Sequence, residues 1–114
     1  MWDGRIVAAI VKAVREDLQQ QKWARDFADK LRGRGIALDA LRNLVNRFDL
    51  MVLYWHRVYW HRGMRAIGFW LRELNLIAVW SPRHPGKWVT VFRHDRGRTY
   101  LLSQEDAEIL WERR

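Results

Sequence analysis

The stretch "YWHRVYWHR", Tyr54 to Arg62, decides how the chain is read. Its tetrapeptide Tyr-Trp-His-Arg occurs twice, with only Val58 between the copies. The copies are offset by five residues. On a helix, five steps turn the chain by about 500°, which leaves ~140° after one full turn. On a strand, an odd offset reverses the face. His56 and His61 therefore diverge in either geometry, and a metal shared by them, which wants i,i+4 spacing on a helix, is disfavoured. The reading assigns no metal site, no cofactor and no catalytic residue.

Helical periodicity runs into this stretch from its N-terminal side. Leu41, Leu44, Val45, Phe48, Val52, Trp55 and Tyr59 fall within one arc when each residue advances by about 100°. This predicts a helix from about Leu38 to Arg62, ended by Gly63. Asn43, Asn46, Arg47, Tyr54, Arg57 and His61 would lie on its opposite side. Leu50, Leu53, Tyr54 and Trp60 are apolar or aromatic outside the main stripe, so the helix would be covered on nearly all sides, by its neighbours or by a second subunit. A third helix is expected from about Met64 to Leu74. Upstream, residues 4–33 read as helix, with Ile6, Ile10, Val14 and Leu18 in one stripe and Trp23, Phe27 and Leu31 in another. The stripes are out of phase across Gln19 to Lys22, where a break is expected, and the glycines at Gly33 and Gly35 stop the segment.

Downstream the period changes. "LIAVW" (Leu76 to Trp80), "WVTVF" (Trp88 to Phe92) and "RTYLL" (Arg98 to Leu102) are short, rich in β-branched and aromatic residues, and separated by turn signals. They predict a three-stranded antiparallel meander. "SQEDAEILWERR" then reads as a closing helix, with Ser103 as its N-cap. The expected fold is a single α+β domain over residues 1–114: three N-terminal helices, the meander and a C-terminal helix, winged-helix-like in outline.

Composition narrows the chemistry. The 114 residues contain no cysteine, which excludes disulfides, thiolate catalysis and cysteine-bound zinc, and leaves a cytoplasmic location as the expectation. No apolar run approaches the ~18 residues of a membrane span, and Ile6 to Val11 is too short for a signal segment, so no membrane partner is expected. The net charge is +8. Between Trp55 and Arg98 nine Lys and Arg face only Glu73 and Asp95, and all four histidines lie there too. Such a balance favours a polyanionic partner, and arginine, with its forked guanidinium, suits phosphates.

"WARDFADKLRGRGIALDALRNLVNRF", Trp23 to Phe48, resembles helix-turn-helix DNA readers: a short helix, a glycine-rich turn and a second helix. The resemblance implies that the second helix enters the major groove, with Arg42, Asn43, Asn46 and Arg47 exposed to read or position bases. A basic hairpin after the helices would act as a wing. Arg83, Lys87, Arg93, Arg96 and Arg98 would then join Arg57, His61 and Arg62 in neutralising phosphates. The expected function is therefore non-enzymatic nucleic-acid binding, duplex DNA before RNA, by a possible homodimer. Two alternatives stand beside it. One is a basic inhibitor or adaptor for an acidic protein. The other is a small metal-independent RNase using His84 or His94 with Lys87, Arg93, Arg96 and Tyr100.

Overall fold

A computed structural model of the protein describes residues 3–57, 63–83 and 87–113. Three helices come first: α1 (Gly4–Gln19), α2 (Phe27–Gly33) and α3 (Leu38–Arg47). Strands β1 (Leu50–His56), β2 (Met64–Leu71), β3 (Leu76–Trp80) and β4 (Trp88–Arg93) follow. A short helix α4 (Gly97–Leu102) then leads to β5 (Glu105–Glu112). The strands form one antiparallel sheet in the order β4-β3-β2-β1-β5. The chain thus meanders through four strands, crosses one face of the sheet as α4, and returns to pair with β1.

The α+β class agrees with the sequence, and the count of three N-terminal helices is met because the segment 4–33 divides at the expected break into α1 and α2. α1 ends at Gln19, within the expected break, and α3 starts at Leu38. The winged-helix outline does not form. The second long helix stops at Arg47 instead of Arg62, the segment expected as a third helix is β2, the meander belongs to a five-stranded sheet, and the C-terminal segment is β5. "RTYLL", expected as a strand, supplies α4.

Burial explains the error at β1. Met51 packs into a core shared with α1, α2 and α3, while Leu50, Val52 and Tyr54 pack into a second core under α4. A strand covered on both faces reads as a continuous apolar run, and such a run fits a helical arc as readily as a pleat. The off-stripe residues Leu50, Leu53 and Tyr54 were the signal that one helical face could not contain them.

The two cores are built differently. On the helix side, Val14, Phe27, Leu41 and Leu44 meet Phe69, Leu76 and Trp88. On the other side α4 lies unusually close to the sheet. A Cβ at Gly68 would stand 2.5 Å from Leu101 Cδ2, and one at Gly97 would overlap the Trp70 indole. Two absent side chains therefore set the approach of α4. The outer edge of β4 is also closed. Ala24 N–H donates to Trp88 O (2.7 Å) and Trp88 N–H to Lys22 O (3.0 Å). Arg34 Nη1 reaches Val91 O at 2.6 Å.

Candidate nucleic-acid interface

Along α1, burial of Val14 and Leu18 turns Arg15 and Gln19 toward one flank. Along α3, burial of Leu41, Leu44 and Val45 leaves Arg42 and Asn46 exposed one turn apart. The helices pack side by side, and these flanks meet over a groove of about 410 Å³. Leu18, Leu38 and Val45 line it beneath a polar rim of Arg15, Gln19, Gln21, Arg42 and Asn46. Gln21 enters that rim from a left-handed turn at φ 55° just past the end of α1. Arg42 spends one nitrogen on Asp39 at 2.8 Å, in an exposed i,i+3 pair. Arg15 has no ion pair among the described residues, and neither do Lys12 and Lys22 near it in the chain. Exposed Glu16 is the acid beside them on α1.

The other expected contacts lie elsewhere. On the opposite flank of α3, Arg47 pairs with Glu73 (3.4 Å) and Asn43 Nδ2 donates to the same carboxylate at 3.5 Å. Arg57 grips Glu105 with two nitrogens, at 2.7 and 2.9 Å. That pair raises the Arg57 pKa and holds the Glu105 carboxyl below its ordinary value, chiefly through the side-chain hydrogen bond. Arg98 holds Glu112 in the same manner, at 2.5 and 3.3 Å. Arg93 donates to Arg34 O (2.9 Å) and Gly35 O (3.1 Å), carbonyls at the end of α2. Lys87 Nζ donates to Pro82 O at 2.5 Å.

Arg83 and Arg96 are exposed and have no ion pair among the described residues, but they sit at opposite ends of the sheet. His61 and Arg62 lie outside the described residues, as do Tyr59, Trp60 and His84. The side chains expected to converge thus occupy separate areas, four of the arginines in ion pairs with carboxylates. Arg42 and Asn46 do come together, with an arginine that sequence reasoning had not singled out. No protein-family model, curated protein or solved structure matches the chain.

On the α4 side of the sheet, the buried Tyr54 hydroxyl shares a 3.1 Å hydrogen bond with His56 Nδ1. Burial pushes the Tyr54 pKa up and the His56 pKa down, and the charge of Lys30 lowers His56 further. His94 packs on Tyr100, their ring centroids 4.8 Å apart, and its Nδ1 accepts the Arg96 N–H at 3.0 Å. With Arg93 committed to α2, only Arg96 of the arginines in the expected RNase set remains unpaired beside His94. Among the described residues no cluster of three His, Asp or Glu could hold a metal, and no helix is long and apolar enough to cross a membrane.

Proposed function

We propose that the protein binds nucleic acid through the groove between α1 and α3, duplex DNA before RNA. One observation carries this reading: Arg15 and Arg42, from separate helices, share a rim with Gln19, Gln21 and Asn46. Guanidinium forks suit phosphate oxygens, and amide side chains bond to sugar and base edges. The exposed pair Arg42 and Asn46, one turn apart on α3, has the residue types that read guanine and adenine. The +8 charge of the chain adds a long-range attraction that needs no sequence. Arg57 and Arg98 lie away from this groove, each holding a carboxylate with two nitrogens, and are left out of the interface.

Binding to random duplex and single-stranded DNA and to RNA, measured at a series of salt concentrations, tests the proposal. Arg15→Gln and Arg42→Gln should each flatten the plot of log affinity against log salt for duplex DNA by about 0.9. Arg98→Gln should leave that slope unchanged. Absence of retention on any nucleic acid at low salt overturns the reading, as do slopes identical in all the variants. Co-purification with one acidic protein, without nucleic-acid retention, would favour the adaptor alternative.

A further inference from the structure

The flank of α1 that turns away from α3 borders a second groove, of about 700 Å³. Its walls are Ile6 and Ile10 of α1 against Leu53, Ile67, Trp80 and Leu110 of the sheet. That volume falls within the usual range for small-molecule sites, which are mostly apolar with a few polar groups at fixed points. The floor is firm. Ile67, Trp80 and Leu110 are buried, and Asp17 Oδ2 accepts the Trp80 indole N–H at 2.9 Å, fixing that wall at the inner end. Among the described residues, the polar ones in the lining are Asp3 and Arg5, both at the start of α1.

Charge around the opening is unbalanced. Asp3 caps α1, its Oδ1 accepting the Arg5 N–H at 2.7 Å, and its Oδ2 pairs with the Arg5 guanidinium at 3.4 Å. Glu108, opposite Leu53 in β5, is held in an interaction of its own. The pair with Asp3 offsets Arg5, and the excess is carried by exposed Arg65, two residues before Ile67 on the same strand, and exposed Arg83, next to the lining residue Pro82. Neither Arg65 nor Arg83 has an ion pair among the described residues.

We infer that this groove binds a straight acyl chain bearing a carboxylate, with the chain along α1 and the carboxylate among the arginines at the opening. The apolar walls would hold the chain by the area they remove from water. The guanidiniums would make the head-group contact charge-assisted.

Calorimetry with dodecanoate and with dodecanol on the full chain tests this. Saturable binding of dodecanoate, about tenfold tighter than dodecanol, is the expected result. Ala9→Phe, at an exposed lining position, should abolish binding while circular dichroism and melting stay as in the parent. An Arg65→Gln, Arg83→Gln double variant should keep dodecanol binding and lose the preference for the acid. On the parent protein, a chain-brominated analogue should quench tryptophan fluorescence, and the Ala9→Phe variant should be spared. Absence of saturable binding, equal affinity for acid and alcohol, or undiminished binding to a folded Ala9→Phe variant overturns the inference.

Discussion

Replacing Gly68 with alanine places a methyl group where α4 already presses on the sheet. The new Cβ would stand 2.5 Å from Leu101 Cδ2 and 3.1 Å from Tyr54 Cε1. Leu101 and Tyr54 are both fully buried, so neither can swing into solvent to make room. The backbone gives no objection, because Gly68 is not among the positive-φ glycines. Without the contact, alanine in a strand would gain roughly 0.5–1 kcal/mol over glycine. Overpacking of a full core costs about 1–3 kcal/mol. The balance predicts a net loss of about 1–2 kcal/mol, or a fall in Tm of roughly 3–10 °C for a chain of this size.

Leu101→Ala alone should cost about 2–5 kcal/mol, through lost burial and the cavity left behind. In that background, however, the methyl added at position 68 meets space, and Gly68→Ala should become neutral or stabilising. The double-mutant cycle, read by urea unfolding, should return a favourable coupling of about 1–3 kcal/mol. Additive effects, or a Gly68→Ala variant more stable than the parent, would refute the claim that glycine sets the approach of α4.

Two further outcomes follow from buried Asp17 and half-buried His56. Asp17→Ala removes the acceptor of the buried Trp80 N–H and should cost about 1–3 kcal/mol in urea unfolding, whereas Asp17→Asn keeps an acceptor and should cost less. His56 has a folded pKa below its ordinary 6.5, through burial first and the charge of Lys30 second. The unfolded chain thus takes up the proton at higher pH than the folded one. Its contribution to stability should be complete above pH 6.5 and lost as pH falls through the folded value, and His56→Gln should flatten that part of the pH–stability profile.

The N-terminal helices were legible because α1 and α3 each carry one apolar stripe, and because the phase break marks the end of α1 and the glycines that of α2; the end of α3 was hidden, since its stripe runs on into β1. β3 and β4 were legible from β-branched runs between turns. The segments 98–102 and 105–112 were read with helix and strand exchanged, and the cause is non-local. β1 has a second edge that β5 completes, and Gly97 lets "RTYLL" approach Trp70 as a helix. In the candidate site, the exposed Arg42 and Asn46 could be read from the period of α3. Arg15 could not be assigned to them, since 27 positions separate it from Arg42 and only tertiary packing joins the two. The neutralisation of Arg57 and Arg98 was equally hidden, because Glu105 and Glu112 sit in the misread segment.

The closure of the β4 edge has a consequence for how copies of this chain could meet. Backbone pairing from Lys22 and Ala24, with Arg34 on Val91, occupies carbonyls and amides that a foreign strand would need. Continuation of the sheet from molecule to molecule is left to the β5 margin. That strand carries Glu105, Asp106, Glu108 and Glu112 and is interrupted by register shifts against β1. Dense charge and bulges of this kind are a known natural defence of a sheet edge against ribbon-like aggregation. Self-association of this protein is therefore expected through side-chain surfaces before backbone pairing.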